Sequence, residues 1–187
     1  MFGVDLSQQA AETAKKNFGI DIHVGELEEI PFPPNTFDYI NMSHVLEHVT
    51  SPVDTLRKVK ELLKPDGVVY AEVPNYESFS RRLSKEYWFN LDTPRHLFMF
   101  SPQTLDQVFQ ESGLKVNRIE TKIDNSSAWD NTYKLEEKLG RRVDSRPFVT
   151  GLGKAKILLS SILAKLNHFF KPSNGDFVCC WAKKEKE

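Results

Sequence analysis

Cysteine is scarce in this 187-residue sequence, long apolar runs are missing, and neither charge sign dominates. The two cysteines, Cys179 and Cys180, are adjacent in what reads as a strand, where successive side chains point to opposite faces. That placement speaks against a disulfide framework and against a zinc site built on thiolates. No stretch approaches the roughly 20 apolar residues of a membrane span, and no basic segment followed by an apolar run opens the chain. Twenty-five basic residues against 26 acidic ones leave a net charge of −1, so no global field favours nucleic acid or an anionic membrane. The expectation is a soluble, reduced, cytoplasmic protein with no nucleic-acid partner and no stable membrane insertion. What is present, 40% hydrophobic and 27% charged residues, suits one globular domain with a sizeable core.

Strand and helix signals alternate along the chain. Residues 2–5 form a short apolar run ending in Asp5, Ser7 stands at a helix N-cap position, and residues 8–18 are rich in alanine before Gly19. Residues 20–24 alternate apolar and polar side chains, and 37–42 form a third strand candidate after a proline-punctuated loop. Val53, Leu56, Val59, Leu62 and Leu63 recur at helical spacing until Lys64-Pro65-Asp66-Gly67 stops the helix, and a strand follows over 68–73. A helix is expected over 104–112, a strand over 115–123, an amphipathic helix over 153–170 and a last strand over 176–183. Strands separated by helices of about 10 to 15 residues mark an α/β fold with a mostly parallel sheet, because a parallel crossover needs that length.

Three blocks carry a family resemblance. Gly3-Val4-Asp5-Leu6-Ser7, with its helix behind it, resembles the second strand of class I, Rossmann-like S-adenosylmethionine-dependent methyltransferases. Gly25-Glu26-Leu27-Glu28-Glu29-Ile30-Pro31-Phe32, followed by the strand at 37, is similar to the stretch that leads that family from its third strand into its fourth. Met42-Ser43-His44-Val45-Leu46-Glu47-His48-Val49, the helix ending in Leu63-Lys64-Pro65-Asp66-Gly67, and Pro94-Arg95-His96-Leu97-Phe98 resemble the ubiquinone-biosynthesis-like small-molecule methyltransferases. The resemblance covers residues 1–123 and the final strand. It implies one domain over 1–187, with 1–74, 113–123 and 176–183 forming the core sheet and 75–112 and 124–175 a substrate-side insertion or lid. A nicotinamide-dependent oxidoreductase is disfavoured because the 26–49 and 94–105 blocks resemble methyltransferases specifically.

The resemblance also implies roles. Asp5 would accept hydrogen bonds from both ribose hydroxyls of S-adenosylmethionine, with Leu6 beside it; Glu26 and the Leu27 amide would meet the adenine; Met42 and Ser43 would flank the cofactor. Where this chain has Glu26 the family more often has Asp. Methyl transfer needs positioning and, for a hydroxyl or amine acceptor, a base. His44, following the fourth family strand, is the first candidate and His96 the second. Arg95 could fix a carboxylate or phosphate of a small-molecule acceptor, although Arg95 and His96 could equally tie an insertion onto the sheet; Trp88 could line the acceptor pocket, although aromatics near a loop usually serve core packing. His44, Glu47 and His48 stand at i, i+3 and i+4, so a helical turn would gather them on one face. Some relatives bind magnesium here through Glu-x-x-Glu-His; with His44 in the first position that oxygen-seeking ion is ill served, and no metal is expected. Helix 153–170 carries Lys154, Lys156 and Lys165, with Lys171 just beyond, compatible with a membrane surface or a homodimer, but covering the core or active site is the expected role of its apolar face.

One departure stands out. The family's first strand and the glycine-rich turn after it should precede Phe2 by about 20 residues, and Gly151-Leu152-Gly153 does not replace them. That strand lies centrally, between the family's second and fourth, so its loss would leave two strand edges unpaired and remove the floor under the methionine half of the cofactor. An N-terminally truncated enzyme is expected. The alternatives are a catalytically inactive remnant acting as a binding module and a sheet completed by strand pairing between chains.

Overall fold

The computed structural model describes residues 1–124 and 151–185. Residues 125–150, which include nearly all of the polar stretch expected over 124–147 and half of the proposed lid segment 124–175, lie outside the described residues. The order of elements is β1 (Gly3–Asp5), α1 (Gln8–Phe18), β2 (Ile22–Val24), β3 (Phe37–Ser43), α2 (Pro52–Leu62), β4 (Leu63–Pro74), α3 (Phe79–Ser84), α4 (Pro102–Glu111), β5 (Lys115–Lys122), α5 (Gly151–Phe170) and β6 (Phe177–Lys183).

Local chemistry accounts for the helix ends. The Ser7 hydroxyl accepts the Ala10 N–H at 3.2 Å to open α1, and Gly19, at φ 68°, closes it in the left-handed region that suits glycine. Ser101 and Thr104 cap each other's backbone N–H groups at the start of α4, with Pro102 in the first turn. The Lys64-Pro65-Asp66-Gly67 turn, expected as a helix stop before the next strand, is itself part of β4. Pairing runs from Phe37 with Leu63 directly to Tyr39 with Val68, so the turn is a bulge inside the strand. Gly67 is required there, because a Cβ would sit 2.8 Å from the Lys64 carbonyl oxygen.

Four strands form one sheet in the order β3-β4-β6-β5, with β3 and β4 parallel and β6 antiparallel to both its neighbours. β1 and β2 form a separate parallel pair. The two sheets meet side by side through aromatic rings: Phe2, just before β1, lies 6.0 Å from Phe37 at the start of β3, and Phe32 packs edge-on against both. Among the described residues no strand pairs with the β3-facing edge of β1 or the β1-facing edge of β3. The division falls where the resemblance places the family's first strand.

The core lies on the four-stranded sheet, where Leu56 and Val59 of α2 and Leu105 and Phe109 of α4 pack on Val69, Ala71, Val178 and Cys180. Two sequence expectations change. The expected place of residues 102–111 is the substrate-side insertion, yet α4 belongs to the core layer, because its apolar stripe meets α2 and β6 and leaves Phe109 with 0% exposure. The apolar face of α5, expected to be covered, exposes Leu158, Ile162, Leu163, Leu166, Phe169 and Phe170; of that helix's described side chains only Ala164 is buried. Neighbouring Cys179 and Cys180 are unpaired thiols on opposite faces of β6, as the strand reading required.

Candidate active site

Residues expected around the adenosine end sit at the far ends of β1 and β2. The Gly25 N–H donates to the Asp5 carbonyl at 3.1 Å, which ties the two strand ends together. Asp5 Oδ1 accepts the Ser7 N–H at 2.7 Å, so one carboxylate oxygen is fixed by its own turn while the side chain stays exposed. Glu26 is exposed beyond Gly25, and Leu27 opens a short 3-10 turn and packs half-buried against the core. Leu6 points outward with 72% exposure. The arrangement offers a carboxylate at one strand end and an acidic residue before a short 3-10 turn at the next, groups that could meet the diol and base of an adenosine. The described residues offer no glycine-rich turn for the methionine end, and the sheet is divided there. Met42 and Ser43 close β3; Met42 is buried in the core, and the exposed Ser43 hydroxyl donates to Asn41 Oδ1 at 3.1 Å.

Directly after β3 the chain turns sharply. His44 adopts φ 56°, a left-handed conformation uncommon for a side chain of its size, and its N–H donates to the Glu72 carbonyl at 2.8 Å. The helical turn expected to align His44, Glu47 and His48 is replaced by a series of tight turns, because left-handed backbone at His44 cannot begin a right-handed helix. His44 Nδ1 lies 3.1 Å from Oε1 of the buried Glu47, and Nε2 lies 3.6 Å from Glu72 Oε1. The hydrogen bond with Glu47 raises the His44 pKa above its ordinary value against the opposing effect of burial, so the ring is a stronger base than free histidine. Glu72 also accepts from Tyr70 Oη and Lys122 Nζ, both at 2.5 Å. Burial pushes its pKa up, but the bonds from Lys122 and Tyr70 outweigh this and hold it low.

Sequence reasoning passed over Glu72 and Lys122. Their signal was a carboxylate inside an otherwise apolar strand, Val68-Val69-Tyr70-Ala71-Glu72-Val73, which has to meet a partner across the sheet.

The 88–98 segment is anchored rather than open. Leu97 and Phe98 both donate backbone N–H groups to the Glu47 carbonyl, at 2.7 and 3.2 Å. Arg95, expected to fix a substrate anion, is exposed and pairs with Asp92 through bonds of 2.9 and 3.2 Å to Oδ1 and a 2.7 Å contact to Oδ2. Trp88, expected at the acceptor pocket, is buried at 2% exposure and packs edge-on against Tyr76. His96 Nδ1 meets the Asn90 carbonyl at 2.7 Å, and its ring stacks edge-to-face on His48 with centroids 4.7 Å apart. The structure therefore brings His96 to Glu47 and His48, and leaves His44 between Glu47 and Glu72.

A family model described as a methyltransferase domain matches residues 1–119. Curated relatives include a ubiquinone biosynthesis O-methyltransferase of Neisseria meningitidis, 27% identical over an alignment of 110 residues that covers 54% of this chain and 43% of the relative. A demethylmenaquinone methyltransferase of Lysinibacillus sphaericus is 29% identical over 89 residues, 42% of this chain and 38% of the relative. The matches thus span only about two-fifths of either relative's length. Among solved structures, a S-adenosylmethionine-dependent methyltransferase of Thermotoga maritima, described as a possible histamine N-methyltransferase, superposes with TM-score 0.63 over 98% of this chain and 72% of its own, at 20% identity. At that identity the likeness speaks for the fold, the Rossmann-like α/β architecture of class I methyltransferases. The chain belongs to the methyltransferase domain family, and the cofactor that membership indicates is S-adenosylmethionine.

Proposed function

We propose that the protein serves methyl transfer from S-adenosylmethionine to an oxygen or carbon of a small-molecule acceptor, with His44 taking the acceptor proton. The cofactor supplies a methyl group already activated on a sulfonium. Asp5 and Glu26 would bind its ribose and adenine. His44 carries the reading: it follows β3 in the conformation that exposes half its ring, and Glu47 holds Nδ1 so that Nε2 can receive a proton. The basicity lent by Glu47 strengthens proton abstraction and lowers the neutral fraction at a given pH, so the pair works best on an acceptor that gives up its proton easily, such as a phenol or an activated carbon. The named activities of the quinone-biosynthesis relatives support the same acceptor class. His96, with Nδ1 committed to the Asn90 carbonyl, is the weaker base candidate.

The test begins with the coding DNA upstream of Met1, read for an in-frame Gly-x-Gly segment, and uses the longest in-frame protein. Labelled methyl transfer from S-adenosylmethionine to a panel of catechols and short-chain hydroquinones is expected. His44→Ala should lower kcat by about 10²- to 10⁴-fold with little change in cofactor affinity. A kcat unchanged by that substitution removes His44 from the role. Failure of the longest protein to bind cofactor at all would leave the binding-module reading.

A further inference from the structure

We infer that Glu47, His48 and His96 form a site for a first-row transition-metal dication of the zinc class. Each residue offers one ligand atom, and the three atoms lie within 4.8 Å of one another. Two segments supply them: the tight turns after β3 carry Glu47 and His48, and the anchored 88–98 segment carries His96. The paired N–H bonds from Leu97 and Phe98 to the Glu47 carbonyl fix one segment on the other.

The hydrogen bonding selects the ligand atoms. His48 Nδ1 lies 3.0 Å from the Arg95 carbonyl oxygen and His96 Nδ1 lies 2.7 Å from that of Asn90. A carbonyl only accepts, so each Nδ1 carries the hydrogen and each Nε2 keeps its lone pair for a cation. Backbone carbonyls orient metal-binding imidazoles in this way. Glu47 supplies the third observation. Its side chain is 1% exposed, Oε1 meets His44, and Oε2 is buried with no hydrogen-bond partner among the described residues. A carboxylate oxygen buried without a partner forfeits its hydration, and a cation coordinated by Oε2 would restore what water supplied.

Two imidazoles and one carboxylate suit zinc and its neighbours, whereas magnesium seeks six oxygen donors in a near-ideal octahedron. The set differs from the one that helical spacing suggested. His44 is drawn away by the left-handed turn and bonds to Glu47 Oε1, and His96, 48 positions beyond His48 in the sequence, takes its place. Three protein donors leave coordination open for water or an acceptor oxygen.

The test uses the chelator-treated 187-residue chain, without cofactor or acceptor, so its outcome is independent of methyl transfer. Calorimetric titration with Zn²⁺ should show one equivalent bound at micromolar affinity or tighter, and Co²⁺ should develop ligand-field absorption that Zn²⁺ abolishes and excess Mg²⁺ leaves intact. The His48→Ala/His96→Ala double variant should lose at least about 100-fold in affinity, since loss of an outer partner alone costs up to that much. His48 is exposed, so an unchanged melting curve for metal-free His48→Ala confirms that its loss of binding is local. His23→Ala, an exposed imidazole outside the cluster, should bind as the parent does. Absence of one-equivalent Zn²⁺ binding, retention of affinity by the double variant, or displacement of Co²⁺ by Mg²⁺ would overturn the assignment.

Discussion

Replacing Phe109 by alanine separates a core helix from a lid. Phe109 is fully buried on α4 and packs within the cluster formed by α2, β4 and β6. Truncating a fully buried phenylalanine costs about 3–5 kcal/mol, the sum of lost transfer free energy and the cavity left behind. A domain of this length is stable by about 5–15 kcal/mol, so the change consumes a large share of the total. At about 2–4 °C per kcal/mol for a chain of this size, a loss near 4 kcal/mol lowers the melting temperature by about 8–16 °C. Leu97→Ala is the matched control, since that side chain is more than half exposed and its loss should stay within about 0.5 kcal/mol. Urea denaturation followed by circular dichroism gives both values, with the midpoint moving and the slope preserved. If Phe109→Ala costs no more than Leu97→Ala, α4 is a detachable cover and the placement of residues 102–111 in the core is wrong.

Further expectations concern the buried thiols and the Glu72 cluster. Burial raises the Cys179 pKa and pushes that of Cys180 up to about 12, so a thiol-specific disulfide reagent should titrate neither in the native protein and both after denaturation; rapid reaction of the native protein at mildly alkaline pH would contradict their placement in β6. Glu72 has its pKa lowered in the folded state, so its contribution to stability is present above the ordinary carboxylate range and is lost as pH falls through the folded value. Lys122→Met should therefore destabilise the protein at neutral pH by about 1 kcal/mol, discounted because Lys122 is half exposed, and the deficit should vanish in acid. A deficit that persists below the titration of Glu72 would mean that packing, not the ion pair, is responsible.

How much of this was legible in the sequence varies by residue. α1, α2 and the alternating strands were legible because their apolar periods and caps are local, as at Ser7, Gly19 and Pro52. The bulge at 63–67 was not, since a Lys-Pro-Asp-Gly run reads as a stop until the neighbouring strand is known. Asp5 and Glu26 are exposed at strand ends in the structure, and their expected cofactor roles come from the family resemblance, not from a local pattern. The His44 turn defeated helical spacing because a single left-handed residue redirects everything after it. Glu72 with Lys122, and His96 with His48, join through sheet pairing and loop anchoring across about 50 positions, which no local period encodes. The exposed apolar face of α5 is the reverse case, a strong local signal whose partner the fold of residues 1–124 and 151–185 does not supply.

We propose that Asp5 and Glu26, at the ends of β1 and β2, would meet the adenosine half of S-adenosylmethionine, whereas the described residues offer no glycine-rich turn for its methionine half. Calorimetric titration of the 187-residue chain with S-adenosylhomocysteine and, separately, with adenosine tests it most directly. Both should bind weakly and with similar affinity, and Asp5→Ala should weaken both alike. Low-micromolar binding of S-adenosylhomocysteine, far tighter than adenosine, would contradict it.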